Sequence, residues 1–141
     1  FPQAMKAAGI PLKSDRLRIT EYINDMDVCL AAADLVICRS GASTLAELQA
    51  AGRASILIPS PIVAGNHQYH NAMVLGKAGA AVVTEQKDVT NEKMISEIER
   101  LYNSPDTVEI MSECAAKLHL RDTNERILAV VEKLLEKKNT K

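Results

Sequence analysis

The chain has 141 residues, of which 47% are hydrophobic and 25% charged, a balance typical of a globular protein with one ordinary core. Its 17 basic and 18 acidic residues give a formal net charge of -1, which excludes a global electrostatic attraction to nucleic acid or to an anionic membrane. We therefore expect one domain over residues 1–141, in which any anion is bound locally.

The cysteines are Cys29, Cys38 and Cys114, an odd set with neither a Cys-x-x-Cys pair nor nearby histidine ligands. This pattern argues against a disulfide framework and against a zinc site, and we predict neither a bound metal nor a cofactor. No apolar run reaches the roughly 18 residues of a membrane-spanning helix, so any membrane contact is expected to be peripheral.

The first part of the chain predicts one helix, one strand and a second helix. A helical pattern over residues 4–8 follows Phe1 at once, which indicates a start within a longer protein. Residues 17–23 alternate apolar and polar side chains with β-branched members, which is typical of a strand. Asp25 then stands where it can cap a helix over residues 26–33.

A continuous apolar run follows at residues 35–38, and a second, mainly apolar segment lies at residues 54–58. Each has the length and composition of a strand that is buried on both faces of a parallel sheet. Between them, residues 44–51 predict a helix that is closed by Gly52. The alternation of strand and helix therefore continues.

The rest of the chain predicts a helix from about residue 67 to 77, a strand over residues 80–84 and an all-helical end that begins after Thr90 as cap. Three apolar stripes at helical spacing mark the last helices: Met94, Ile95, Ile98, Leu101 and Tyr102; Val108, Met111, Ala115 and Leu118; Ile127, Val130, Val131 and Leu134.

Strands that alternate with helices at this spacing predict an α/β fold, with an open parallel sheet, right-handed crossovers and helices on both faces. Four strands are predicted. That number is small for a doubly wound domain, and the shortfall indicates that leading βα units are absent.

The turn at residues 39–44 separates a buried strand from a helix and consists mainly of small and hydroxyl side chains. Small side chains let a phosphate or diphosphate approach the free N–H groups at a helix start. Alternatively, Ser43 or Thr44 caps the helix and Glu47 completes a capping box, which spacing alone favours. In a nucleotide site, the Glu47 carboxylate could instead accept both hydroxyls of a ribose.

A second turn, at residues 64–71, is dense in neutral donors and acceptors and begins a helix. Such groups suit the hydroxyls of a sugar, which donate and accept without carrying charge. The alternative is a polar helix start that faces water, with His67 as a surface residue and no bound metal. Composition alone favours this alternative.

Three segments, residues 22–26, 33–47 and 64–72, closely resemble the carboxyl-terminal domain of the MurG family, the undecaprenyl-diphospho-muramoylpentapeptide β-N-acetylglucosaminyltransferases. The most specific matches are Arg-Ser-Gly-Ala-x-Thr-x-x-Glu at residues 39–47 and Asn-His-Gln at residues 66–68. The resemblance implies a GT-B fold of two Rossmann-like domains, with UDP-N-acetylglucosamine held mainly by the second.

The resemblance also implies roles for individual residues. The Ile23 main chain would meet the uracil with Met26 nearby, the turn at residues 40–44 would face the diphosphate and hexose, and Glu47 would hold the ribose. The hexose hydroxyls would meet the first turns of the helix that begins near residue 67. The predicted substrate-binding residues are Ile23, Met26, Arg39, Ser40, Gly41, Ala42, Ser43, Thr44, Glu47, His67, Gln68 and Asn71.

Two departures from the family limit what this chain would do. Nothing before Leu17 matches the family's glycine- and serine-rich loop, and the amino-terminal domain with the acceptor site and catalytic base is not in the chain.

The resemblance thus implies a parent enzyme, peripheral on the inner face of the bacterial plasma membrane, that makes a lipid-linked peptidoglycan precursor. This chain would bind UDP-N-acetylglucosamine without turnover. The alternatives are a non-catalytic transferase subunit and a related glycolipid synthase.

Overall fold

The structure is a computed structural model that describes Met5, residues 7–9 and residues 13–139. The chain divides after Ala33 into two compact units, residues 1–33 and residues 34–141. The helix predicted over residues 4–8 lies partly outside the described residues.

The first unit contains a small hairpin and one helix. Strands β1 (Lys13–Ser14) and β2 (Leu17–Arg18) pair antiparallel, and helix α1 spans Met26–Ala32. The predicted strand over residues 17–23 is wrong beyond Arg18. Strand backbone must pair with a neighbour, and among the described residues only β1 pairs with this segment. Helix α1 is confirmed, although the Asp25 side chain at its N-cap position makes no capping hydrogen bond.

The second unit is built on a parallel sheet of β3 (Leu35–Cys38), β4 (Ala54–Leu57) and β5 (Ala81–Val83), in that order. All four residues of the central strand β4 are buried. Burial on both faces is therefore confirmed for β4, which is paired on both edges and also buries the polar Ser55. The same prediction is wrong for β3, because this strand lies at an edge of the described sheet and its Ile37 is exposed. The α/β fold is confirmed, with three strands in the described sheet where four were predicted.

Two helices connect these strands. Helix α2 (Ala42–Ala51) links β3 to β4, and helix α3 (His67–Lys77), preceded by the 3-10 turn Ala64–Asn66, links β4 to β5. Gly52 ends α2 in the left-handed conformation, with a φ of 60°, as predicted. Gly76 lets α3 approach β5 closely, because a Cβ there would lie 2.9 Å from a methyl group of Val83.

The last part of the unit is helical after the 3-10 turn Gln86–Asp88, as predicted. Helix α4 spans Asn91–Tyr102, α5 spans Pro105–Lys117 and α6 spans Thr123–Asn139. The first two stripes are confirmed where they reach the core, but Ile95, Ile98 and Tyr102 are exposed. The core cluster is Ala54, Ile56, Leu101 and Met111, with Leu35, Val82, Met94 and Val108 packed against it.

The third apolar stripe does not reach this core. All of its members on α6 are exposed, and so are two further leucines of the same helix. Since large apolar side chains are normally covered, this face is typical of a surface that packs against another protein element. No helix among the described residues is long and apolar enough to cross a membrane. The exposed set is Ile127, Leu128, Val130, Val131, Leu134 and Leu135.

The start of α4 offers a test of local stabilisation. The Thr90 hydroxyl oxygen accepts a hydrogen bond from the Lys93 N–H at 3.2 Å, which confirms the predicted cap. We expect Thr90→Ala to lower the free energy of unfolding by about 1 kcal/mol, measured by urea denaturation followed by circular dichroism.

Ser104 provides the matched control, because it occupies the same position before α5 and its side chain makes no capping hydrogen bond. Ser104→Ala should change the free energy of unfolding by less than about 0.5 kcal/mol. Equal losses in the two variants would show that the Thr90 hydrogen bond does not stabilise the helix.

Candidate functional site

The predicted site residues of the second unit gather where β3 and β4 end and where α2 and α3 begin. The parallel register places Cys38 beside Leu57, so the loops that follow the two strands start side by side. In open α/β sheets, this carboxyl edge is where ligands bind.

Helix α2 begins earlier than predicted, at Ala42, and Gly41 is its N-cap residue without any side-chain cap. The Gly41 carbonyl accepts the first helical hydrogen bond, from the Leu45 N–H at 3.0 Å. Ser43 and Thr44 therefore lie inside the first turn, and the alternative in which one of them caps the helix is wrong. The first-turn N–H groups have no acceptor within the helix, so they can bind an anion.

Glu47 lies on the same side of α2 as Ser43 and Thr44 of the first turn. Residues three and four positions apart are neighbours on a helix, which places Thr44 and Ser43 next to Glu47. Glu47 and Ser43 are exposed. The carboxylate is thus available at the surface, one turn from the N–H groups of the helix start.

Ser40, which precedes the helix, is fully buried. Its hydroxyl donates to the main-chain carbonyl of Gln68 at 2.8 Å, and the Gln68 side-chain oxygen accepts from the Ser60 N–H at 2.9 Å. These two bonds connect the loop after β3, the loop after β4 and the start of α3. Ser60 was not among the predicted site residues, and no local pattern could have found it, because it acts through its main chain.

Arg39 also joins the two loops. One of its guanidinium nitrogens donates to the Ile58 carbonyl at 3.1 Å and lies 3.5 Å from the Pro59 carbonyl. Both acceptors are neutral, so the guanidinium brings a positive charge to this edge of the sheet. Arg39 lines a cleft of about 330 Å³ together with Ile37, Cys38, Ile58, Gln86 and Val89.

The turn before α3 is held by unusual backbone geometry. Gly65 and Asn66 both have positive φ, at 62° and 51°, and asparagine is one of the few side chains that tolerate this region. His67 is exposed, and its Nδ1 lies 2.9 Å from the Ala64 carbonyl oxygen. Since a carbonyl only accepts, Nδ1 carries a proton and donates, and Nε2 of the neutral ring is left to accept. Asn71 follows one turn later.

Two predicted site residues belong to the first unit. Ile23 lies in the segment between β2 and α1, and Met26 is the first residue of α1. Their exposed fractions are 37% and 42%, so both can contact a ligand.

A larger groove, of about 760 Å³, lies elsewhere in the second unit and contains none of the predicted site residues. Asp34, Leu35 and Arg53 line it, at the amino ends of β3 and β4, with apolar side chains of α4 and α5. Ligands of parallel sheets bind at the opposite edge, so we assign the site to the carboxyl ends despite the larger volume here.

The thiol at the end of β3 gives a pH-dependent prediction. Burial raises the pKa of the Cys38 thiol from 9.0 to about 11. Below pH 9 the thiol is neutral in both states. Between about pH 9 and 11 the unfolded chain ionises first, so the stability contributed by the neutral thiol is lost as the pH rises through the folded-state pKa.

We therefore expect the free energy of unfolding to fall over this interval relative to a Cys38→Ala variant. The slope should stay below the limit of about 1.4 kcal/mol per pH unit for one proton, because the thiol is only partly buried and solvent screens it. Urea denaturation at a series of pH values measures the difference. Cys114→Ala is the control for loss of a thiol elsewhere. If it removed the fall as fully as Cys38→Ala does, the assignment to Cys38 would be contradicted.

Residues 3–127 match the model of the glycosyltransferase family 28 C-terminal domain. Relatives from several bacteria carry the name UDP-N-acetylglucosamine--N-acetylmuramyl-(pentapeptide) pyrophosphoryl-undecaprenol N-acetylglucosamine transferase. The one from Thermoanaerobacter sp. is 45% identical over 85% of this chain and 33% of its own length. The one from Sorangium cellulosum is 48% identical over 81% of this chain and 28% of its own length.

Solved structures agree with this match. The crystal structure of Acinetobacter baumannii MurG superposes with a TM-score of 0.78 and 29% identity, over 93% of this chain and 38% of that one. The spinosyn forosaminyltransferase SpnP superposes with a TM-score of 0.69 at 17% identity, over 90% of this chain and 31% of its own, which shows a shared fold. The chain spans about a third of the length of the relatives it matches.

Proposed function

This chain belongs to the glycosyltransferase family 28 C-terminal domains, and from that premise we propose that it is the donor-binding half of a transferase. The donor is UDP-N-acetylglucosamine, and the acceptor is a lipid-linked muramoyl-pentapeptide of peptidoglycan synthesis. The observation that carries the proposal is the start of α2, which lacks a side-chain cap and lies one turn from the exposed Glu47 carboxylate.

In this proposal the diphosphate of UDP binds the first-turn N–H groups of α2. The helix dipole favours negative charge there, and Gly41 has no side chain to hinder the approach of the phosphate oxygens. The Glu47 carboxylate accepts both ribose hydroxyls in charge-assisted hydrogen bonds. A net charge of -1 gives no general attraction to anions, so this local arrangement supplies the binding.

The hexose lies at the first turns of α3. His67 offers an acceptor nitrogen to a sugar hydroxyl, and the half-buried Asn71 lies on the same side of the helix because four residues separate the two. Ile23 and Met26 of the first unit receive the uracil, following the family resemblance.

The proposed reaction is a displacement with inversion at the anomeric carbon. An acceptor hydroxyl oxygen forms a bond to that carbon while the bond from the carbon to the UDP oxygen breaks. The acceptor proton passes to a base outside this chain. Because negative charge increases on the leaving diphosphate, the N–H groups of α2 stabilise the transition state more than the ground state.

The acceptor and the base are assigned to an amino-terminal half that is not part of this chain. The exposed apolar face of α6 supports the existence of this second half. Its six large uncovered apolar side chains are typical of a surface on which another protein element packs. We place the parent enzyme in the cytoplasm, peripherally on the inner face of the plasma membrane, where a lipid-linked acceptor is accessible.

The same apolar face supports a second candidate, a non-catalytic subunit that binds a separate membrane-anchored partner. The two candidates differ in whether the acceptor half is on the same polypeptide. A related glycolipid synthase would share the donor site and differ in sugar and acceptor preference.

The activity is tested with the full-length protein that carries this chain. We expect transfer of N-acetylglucosamine from the UDP sugar to a lipid-linked muramoyl-pentapeptide, followed by mass spectrometry of the product. Transfer of a different hexose to a different lipid would overturn the assignment in favour of the glycolipid synthase. A full-length protein without transfer, which gains it only with a second chain, would support the subunit.

Glu47 provides the sharpest test of the donor site. Glu47→Gln keeps the size of the side chain and removes its charge, so we expect the Kd for UDP to rise about tenfold and the Kd for inorganic pyrophosphate to stay within about twofold. Isothermal titration of the full-length protein measures both. Glu99→Gln, which alters an exposed glutamate on α4, is the matched control.

Equal weakening of UDP and pyrophosphate binding in Glu47→Gln would argue against a ribose contact. So would the same increase of the UDP Kd in Glu99→Gln, because that residue is placed outside the donor site.

A further inference from the structure

We propose that Ser40 is a positioning residue of the donor site, which orients Gln68 for the sugar by a hydrogen bond to the Gln68 main chain. This inference rests on the proposed function. It assigns to Ser40 an action through Gln68, in place of direct contact between its hydroxyl and the donor.

The first support is the burial of Ser40. The residue has no exposed surface, and its hydroxyl is committed to the Gln68 carbonyl at 2.8 Å, 28 residues further along the chain. A side chain enclosed in this way does not reach a ligand in solution. It does hold the first turn of α3 against the end of β3.

The second support is the hydrogen bond made by the Gln68 side chain. Its side-chain oxygen accepts from the Ser60 N–H at 2.9 Å. An N–H group only donates, so the partner atom must be the amide oxygen, and this contact decides which way the amide faces. With the oxygen occupied, the amide nitrogen of Gln68 presents its two N–H donors.

These contacts make Gln68 a donor of defined orientation. A hexose hydroxyl oxygen, or the carbonyl oxygen of an N-acetyl group, is the kind of acceptor that such a group selects. Removal of the Ser40 hydroxyl would leave the Ser60 contact intact and free the first turn of α3 to shift. Small displacements of a positioning group reduce binding and rate without changing any ligand contact directly.

A matched control is available at the amino ends of the strands, where α5 contacts β4. The Ser112 hydroxyl accepts from the Ala54 N–H at 3.2 Å, at the amino end of β4, so it also joins a side chain to the main chain of another element. Ser112→Ala removes the same kind of bond as Ser40→Ala, at the edge of the sheet away from the proposed site.

The experiment compares Ser40→Ala and Ser112→Ala in the full-length enzyme. Both variants are expected to lower the Tm by similar amounts. Only Ser40→Ala should raise the KM for UDP-N-acetylglucosamine, by about tenfold, with the acceptor KM within about twofold. Its Kd for UDP alone should also stay within about twofold, because the sugar, and not the nucleotide, meets Gln68.

A double variant tests whether Ser40 acts through Gln68 and remains informative if Ser40→Ala is unstable. Gln68→Met removes the amide at similar length and should raise the donor KM by itself. If Ser40 acts only by orienting that amide, adding Ser40→Ala to Gln68→Met should raise the donor KM no further.

Three outcomes would overturn the inference: equal donor KM values in Ser40→Ala and Ser112→Ala, equal weakening of UDP and UDP-N-acetylglucosamine in Ser40→Ala, or additive effects in the double variant. Failure of the proposed function is separate, since the unaltered enzyme would then not transfer N-acetylglucosamine at all.

Discussion

The pairing of β3 with β4 is the constraint on which the proposed site depends. Cys38 lies beside Leu57 in the parallel register, and the next hydrogen bond, from the Ile58 N–H to the Cys38 carbonyl at 2.9 Å, continues the pairing to the strand ends. Two loops therefore leave the sheet at neighbouring points. Arg39 then bonds across to the second loop, and Ser40 bonds to the helix that the second loop leads into.

Within our proposal, the start of α2 allows a nearly neutral protein to bind a diphosphate. A capping side chain accepts a hydrogen bond from a free N–H group at a helix start, and glycine in its place lowers stability by only roughly a few tenths of a kcal/mol. Here Gly41 occupies the cap position, while Thr90 caps α4 with its side chain. Within our proposal the phosphate oxygens of the donor bind the N–H groups that a capping side chain would otherwise occupy. Glycine at this position therefore leaves the N–H groups free at a small cost in stability.

Helix α6 has an apolar face that is not covered by the core of the described chain. Its apolar residues recur at helical spacing, but every one is exposed among the side chains described. The helix therefore obeys the pattern of a packed element without packing on the core of Ala54, Ile56, Leu101 and Met111. Since the chain spans about a third of the length of its relatives, an interface with another half of the enzyme accounts for this face within our proposal.

The sequence by itself determined the α/β class, helices α1 to α6, the three strands of the parallel sheet and the Gly52 and Thr90 helix ends, because these depend on local periodicity and on side chains that act within one turn. It also carried the family resemblance. It did not determine the extent of the strand after Leu17, because a strand forms only where a neighbour pairs with it. Tertiary structure alone decided that α2 begins at Ala42, which removed the capping-box alternative, and that the apolar face of α6 is exposed. It also decided the partners of Ser40, because a hydrogen bond between residues 28 positions apart depends on the packing of the whole sheet and leaves no local pattern.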